Sequence, residues 1–337
     1  MPEQIKPKVR RATEENDSRR QQTESDHVEK VNNEPEEEEA VRGASHLSAK
    51  LVYQVVRREG DEELRRPQAS LFWSGIAAGV CISFSVIGEA LFKTYLPDST
   101  WLPLLESLGY TFGFLIVIVG RMQLFTENTL TTVLPLFARP SLDKLWCVAR
   151  LWGIVLGANV VGCFIAAAFI AFMPAFEPDM MVNITEISKH AIENGAWVGF
   201  VKAVPAGLLI AALVWMLAAG EQENFFIIIL MTWLIAAGGF THIIAGSVEM
   251  AFLLLTGQLS LIAGIFGFFI PVLLGNVFGG TFVFGLITWG QVREEVKNAS
   301  KQQKESTRSS PLHLHQRLAH LVSWHPTQYG SRMHPLQ

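Results

Sequence analysis

The stretch Gly238-Gly239-Phe240-Thr241-His242-Ile243-Ile244-Ala245 sits inside an apolar run covering about residues 225–256. A run of that length exceeds the ~20 residues a helix needs to cross a ~30 Å hydrocarbon core. Two adjacent glycines, a hydroxyl and an imidazole nevertheless interrupt it midway. Backbone leaves the helix at membrane depth only where protein or a water-lined cavity satisfies its N–H and C=O groups. The interruption therefore faces the inside of the protein. A second run, about 108–136, is broken in the same fashion by Arg121-Met122-Gln123-Leu124-Phe125-Thr126-Glu127-Asn128.

Four further apolar runs, at about 70–92, 145–172, 198–219 and 262–289, are uninterrupted. The expected fold class is an all-α membrane protein with six transmembrane helices, the second and fifth broken. Of the 58 Lys, Arg, Asp and Glu residues in this 337-residue chain, 29 fall in residues 1–66 and only 19 in residues 67–290. A soluble domain carries roughly one charge in four residues, so the central stretch is no chain of soluble domains, whatever its length suggests. The net charge of −4 averages over these unlike parts and says nothing about partners.

The same partition sets the domain boundaries. Residues 1–45 are charge-mixed, poor in aromatics and include the acidic run Glu36–Glu39; they are expected to be a disordered arm. Across 46–66, Leu47, Leu51, Val55 and Val56 recur at helical spacing beside Lys50, Arg57 and Arg58. That pattern fits an amphipathic helix on the membrane surface or, equally, a solvated linker helix. Residues 67–292 hold the spans and 293–337 form a tail. Arg65 and Arg66 precede the first span, Arg139, Lys144 and Arg150 follow the second, and Arg293 and Lys297 follow the last, whereas the loop at 173–197 is acidic. The positive-inside rule then places both termini in the cytoplasm, in a multi-pass protein of the inner (cytoplasmic) membrane. The polar opening residues do not read as a cleavable secretory signal.

The two halves resemble each other. Ala78-Gly79 aligns with Ala206-Gly207, Phe125-Thr126 with Phe240-Thr241, and Gly157-Ala-Asn159-Val-Val-Gly162 with Gly275-Asn276-Val-Phe-Gly-Gly280. Three spans separate the copies, an odd number, so the second must be inverted. Inverted repeats with paired broken helices are the architecture of many transport proteins, with the site near the midplane.

A helix restarting inside the membrane aims its positive end at the pore, so two such ends favour a small anion. Thr126 and Thr241 suit helix caps, substrate contacts or both. His242 is the leading candidate for function, since its unperturbed pKa near 6.5 lets an imidazole give one or two hydrogen bonds near neutral pH. Glu89, Arg121, Glu127, Lys202 and Glu249 are the other ionisable groups in the spans, and each must face the interior or a partner. Asn159 and Asn276 fit either a pore lining or hydrogen bonds between helices. Cys81, Cys147 and Cys163 read as small buried hydrophobes. No metal or cofactor site is expected. His313, His315, His320, His325 and His334 in the tail are irregularly spaced. No zinc, nucleophile-elbow or nucleotide-loop signature is present, nor a basic surface for nucleic acid, so an enzyme is not expected.

Leu124-Phe125-Thr126 in the second span, Gly239-Phe240-Thr241-His242-Ile-Ile-Ala245 in the fifth, and Ile270-Pro271-Val272 followed by Gly275-Asn276-Val-Phe-Gly-Gly280 in the sixth together resemble the formate/nitrite transporter family. The charged N-terminal extension is similar to the YfdC-like branch of that family. The resemblance covers roughly residues 70–292. It implies an aquaporin-like fold without water-channel function, assembled as a homopentamer with one pore per subunit. It further implies that His242 is the central pore histidine and Thr126 its partner. Leu124, Phe125 and Val214 would then form one apolar constriction, Phe114 and Ile235 would lie near the other, and Asn276 would lie close to the pore. The chain departs from the family at Gly246 and Ala211, where formate channels carry Asn, and at Glu127, where a small residue is common.

The function expected from all this is permeation, passive or proton-coupled, of a small monovalent weak-acid anion such as formate, nitrite or acetate. A cation or neutral solute on the same scaffold, suggested by Glu127 and Glu249, is the alternative within the class. A non-transporting membrane scaffold or sensor is the alternative outside it.

Overall fold

The computed structural model describes residues 47–220 and 224–309. The charged arm expected over 1–45 and the histidine-bearing end of the tail lie outside the described residues. Every regular element within them is helical, with no strand.

Helix α1 (Ala49–Glu63) starts where the Ser48 hydroxyl accepts the Leu51 N–H at 3.4 Å. Its buried face is Val52, Tyr53, Val56 and Gly60, while Leu47, Leu51 and Val55 stay exposed. Within 46–66 the chain thus forms a helix that docks on the bundle by this face. The Tyr53 ring meets Trp289 at 5.5 Å, and burial pushes the Tyr53 hydroxyl up to about 12, so it stays neutral.

Helices α2 (Gln68–Cys81) and α3 (Ser83–Tyr95) form a single 28-residue span. Helix α4 (Leu102–Val119) begins earlier than the 108 expected. After a break the chain resumes as α5 (Phe125–Thr131) and α6 (Val133–Ala138). The kink between them lies just ahead of Pro135, which has no N–H to give the Thr131 carbonyl; Gly60 of α1 packs against that carbonyl. Helix α7 (Leu142–Phe172) is capped by Ser141, whose hydroxyl accepts the Lys144 N–H at 3.2 Å. The acidic segment expected to be a loop at 173–197 contains helix α8 (Pro178–Ile192), which turns Met180, Ile184 and Ser188 inward. Helix α9 (Gly195–Ala219) follows, then α10 (Asn224–Ala237), a second break, and α11 (Ile243–Leu255).

The last helix runs through π1 (Ala263–Phe269), α12 (Ile270–Val277), π2 (Phe278–Gly285) and α13 (Leu286–Ser309). It outlasts the expected span and carries the first part of the expected tail as helix. Among the described residues, five helices are long and apolar enough to cross a membrane, and α10 and α11 are shorter apolar helices. Trp73, Trp146, Phe226 and Ile262, each at least 68% exposed, stand on the outer surface. Such display suits lipid or a neighbouring subunit rather than water.

The two breaks are built alike. In the first, Gly120, Arg121 and Met122 donate to the carbonyls of Ile116, Ile118 and Val117; in the second, Gly238, Gly239 and Phe240 donate to Leu234, Ala236 and Ile235. Arg121 (φ 50°) and Gly239 (φ 60°) both take the left-handed conformation. Asn159 then closes the first break: its Oδ1 accepts the Phe125 N–H at 2.9 Å and its Nδ2 donates to Gln123 and Gly75 carbonyls, each at 2.8 Å. Asn276 closes the second by the same three bonds, to the Ile243 N–H (2.8 Å) and the carbonyls of Thr241 (3.0 Å) and Ala203 (2.8 Å). Gly79 packs against the Asn159 carbonyl and Gly207 against that of Asn276, the close backbone approach that small residues allow between membrane helices.

This geometry shifts the correspondence expected from sequence. Arg121 pairs with Gly239, Leu124 with His242 and Phe125 with Ile243, so Phe125-Thr126 does not pair with Phe240-Thr241. The short Phe-Thr match is coincidental, and the hydrogen bonds set the register.

Gly157 and Gly162, both on α7, differ in their surroundings. A β-carbon on Gly162 would collide with the Ile76 carbonyl and the Gly79 Cα, whereas around Gly157 nothing lies within 4 Å. Gly162→Ala is expected to lower the thermal unfolding midpoint in detergent by roughly 3–10 °C, corresponding to ~1–3 kcal/mol of overpacking. Gly157→Ala is expected to leave it unchanged or raise it, because glycine costs a helix up to ~1 kcal/mol relative to alanine.

Candidate pore site

Helices α5 and α11 begin inside the bundle, at Leu124 and His242. These two residues, not Thr126 and Thr241, occupy the cap positions. Leu124 has no cap to offer, and Asn159 serves that end instead. At the other, His242 Nδ1 accepts the Ala245 N–H at 3.3 Å. That bond requires Nδ1 to carry no proton, so a neutral ring holds its hydrogen on Nε2. Nε2 lies 2.7 Å from Thr126 Oγ1. With Nε2–H as donor and Oγ1 as acceptor, the Thr126 hydroxyl proton remains for a third party. Both residues are almost wholly buried, at 1% and 0% exposure. The Phe114 ring meets the imidazole edge-on at 5.0 Å.

Two cavities approach this pair. The first, of about 410 Å³, is lined by Glu89, Lys93, Glu106, Tyr110, Glu186, His190, Lys202, Phe240, Thr241, His242, Gly246 and Glu249 among others. The second, of about 550 Å³, is lined by Glu59, Glu62, Glu63, Arg121, Gln123, Glu127, Asn128, Val214 and Ile228 among others. They sit at opposite ends of the same helices: α4 gives Leu104 to the first and Val119 to the second, and α9 gives Lys202 to the first and Val214 to the second. Leu124, Phe125, Thr126 and Phe114 line neither and are fully buried.

The expected site residues therefore separate into groups. His242 meets both Thr126 and Phe114 directly. Thr241 and Glu249 line the first cavity, Val214 and Glu127 the second. Ile235 is buried at the end of α10, where its carbonyl accepts the Phe240 N–H. Phe125 packs its ring on Trp152 at 5.6 Å. Asn159 and Asn276 line neither cavity. Of the two roles open to them from sequence, pore lining and hydrogen bonding between helices, their bonding fits the second: Oδ1 and both Nδ2 hydrogens of each are spent on backbone.

Sequence reasoning missed a polar chain beside the first break. Asn128 Nδ2 donates to Gln123 Oε1 at 3.1 Å, and Gln123 Nε2 donates to Glu63 of α1 at 2.9 Å. The amides stood in the quoted motif, but their partner lies 60 residues away. Glu127 Oε1 is buried with no hydrogen-bond partner.

Gly246, one of the departures from the family pattern, has a steric cause. A β-carbon there would run into the Phe268 ring, so phenylalanine fills the space that an Asn side chain would need.

Residues 50–290 match the family model described as Formate/nitrite transporter. The chain is 41% identical over 253 residues to the inner membrane protein YfdC of Escherichia coli, an alignment covering 75% of this chain and 82% of that protein. It is 27% identical over 248 residues to the formate channel FocA of Haemophilus influenzae, covering 66% and 86%. A solved structure described as a pentameric formate channel with formate bound superposes with a TM-score of 0.58 at 24% identity, over 66% of this chain and 96% of that one. At that identity the likeness speaks to the fold alone.

Restoring the amide tests the steric reading. Gly246→Asn is expected to destabilise by ~1–3 kcal/mol through overpacking, seen as a lower unfolding midpoint. Phe268→Ala added to it is expected to recover part of that loss; a double variant no better than Gly246→Asn would refute the reading.

Proposed function

The chain belongs to the formate/nitrite transporter family, a family of membrane channels and transporters rather than enzymes, and on that premise we propose that it conducts a small monovalent weak acid of the formate, nitrite or acetate class past the contact between His242 and Thr126. The observation that carries this reading is the 2.7 Å contact itself, buried where two half-helices begin and approached by a cavity from each end.

A bare anion entering so apolar a constriction loses several kcal/mol of hydration, and a neutral acid far less. Phe114, Leu124 and Phe125 offer no compensation. The Thr126 hydroxyl, with its proton unused by His242, offers one hydrogen bond to a permeating oxygen. The start of α11 adds the positive end of a helix dipole. Permeation as the neutral acid, or as anion and proton together, follows from these costs.

We read the two breaks and their Asn braces as an inverted three-plus-three repeat of six spans with an aquaporin-like path. The matching hydrogen bonds in the two halves support this. Homopentamer assembly is drawn from the likeness to the pentameric channel, and the outward apolar side chains suit it. An inner-membrane location with both termini cytoplasmic is supported by the 41% identical relative and by Arg139, Lys144 and Arg150 near the second cavity's end of the bundle. Residues 1–45 are assigned as a cytoplasmic arm, 46–66 as a surface helix, 67–292 as the channel and 293–337 as a cytoplasmic tail. A cation or neutral solute is the second reading, favoured by the carboxylates of Glu127 and Glu249 at the two cavities.

Purified protein in liposomes is expected to pass labelled formate at a rate that rises as pH falls. His242→Asn keeps a capping group but removes the ring N–H that meets Thr126 Oγ1, and is expected to slow formate flux at every pH. No flux of any small carboxylate or nitrite would sink the proposal, and a reversal potential following a cation gradient would favour the second reading.

A further inference from the structure

The first cavity carries more carboxylate than its channel role explains. Glu89, Glu106, Glu186 and Glu249 line it, against Lys93, Lys202 and His190. Lys93 is taken up by Glu186 at 3.0 Å, and Lys202 Nζ donates to Asn194 Oδ1 at 2.8 Å. Glu89, Glu106 and Glu249 make no hydrogen bond or ion pair with any described residue. Glu249 is the deepest of these, only 6% exposed, yet it borders the cavity. Gly246 and Glu249 of α11 lie four and seven residues after its cap His242, one helical stripe facing the cavity, so Glu249 is placed two turns, about 10 Å along the helix axis, beyond His242. No group of three or more His, Cys, Asp or Glu among the described residues is placed to hold a metal ion.

We propose that Glu249 hands a proton to the entering weak-acid anion before it reaches His242 and Thr126, and that Glu89 reloads it from the solvent side. The inference rests on the weak-acid reading above. His242 suits the task less well: a second ring proton would sit on Nδ1 and end the cap on Ala245. Glu249 has no bond to give up. In the step, the O–H bond of the Glu249 carboxyl breaks and an O–H bond forms on an oxygen of the permeant anion. Glu249 keeps the electron pair as a carboxylate until a solvent proton, passed through Glu89, restores it.

The groups facing Glu249 are accounted for element by element. Helix α3 brings Glu89 and Lys93, α4 brings Glu106 and Tyr110, α8 brings Glu186 and His190, and α9 brings Lys202. His242 shares α11 with Glu249. Helix α7 brings Cys163, whose thiol donates to the Ile244 carbonyl. Helix α2 has no acidic or basic residue, π1 is wholly apolar and α12 adds only Asn276. Glu127 of α5 faces the other cavity.

The test is formate flux in proteoliposomes at symmetrical pH from 5 to 8, with wild type, Glu249→Gln, Glu249→Asp and Glu89→Gln. A missing proton donor is expected to slow Glu249→Gln about tenfold or more near neutral pH, with convergence on wild type at pH 5, where the permeant brings its own proton. Glu249→Asp is expected to restore the wild-type profile. Glu89→Gln, which keeps the test open if Glu249→Gln does not fold, is expected to show the same pH signature more weakly. A Glu249→Gln profile like wild type, or lowered equally at every pH, overturns the relay while leaving the channel reading intact. A folded Glu89→Gln with the wild-type profile overturns the reloading step. Absence of flux in wild type overturns both.

Discussion

Everything at the centre of this protein depends on satisfying backbone that has left its helix inside an apolar bundle. Two side chains do it. Asn159 and Asn276 each make three hydrogen bonds: each accepts the first N–H of the next half-helix and donates once to a carbonyl of the break and once to a carbonyl of a neighbouring helix. A buried donor or acceptor left without a partner costs about 1–3 kcal/mol, so losing one amide strands three groups at once. With both in place the starts of α5 and α11 are fixed, and Thr126 and His242 are held 2.7 Å apart across 116 positions of sequence.

The two breaks share this bracing but not their surroundings. Gly239 adopts its left-handed conformation at little cost, whereas Arg121 does so against a steric penalty of ~1–2 kcal/mol. Arg121 lines the second cavity, where it is the one cation among Glu59, Glu62, Glu63 and Glu127 in the described lining. A strained arginine where carboxylates gather gives an anion the one cationic side chain of the described lining. The first cavity has lysines, but both are engaged. Both approaches are therefore lined by more carboxylate than unpaired cation.

Much of this could be read in the sequence. Long apolar runs gave the spans, and glycines with polar residues in mid-run gave the breaks. The pairing of His242 with Thr126 came through the family motifs. Three things resisted. The correspondence between the halves was drawn from the Phe-Thr pairs, but it is set by backbone hydrogen bonds that leave no letter pattern, and it runs Leu124 to His242. Helix α8 hid in a polar segment because only Met180, Ile184 and Ser188 turn inward, too few for a strong periodic signal. For Asn159 and Asn276 the sequence leaves pore lining and hydrogen bonding between helices both open, because a polar group in a span serves either. Only the positions of the Gly75, Gln123, Ala203 and Thr241 carbonyls show that their bonding capacity is used up.

The central claim is that the permeant crosses the His242–Thr126 contact without net charge. It is tested most directly by measuring, in one set of liposomes holding the purified protein, labelled formate uptake, internal pH and membrane current together. The account predicts one proton entering with each formate and no net current at any imposed voltage. Formate uptake that carries current and leaves internal pH unchanged would contradict it.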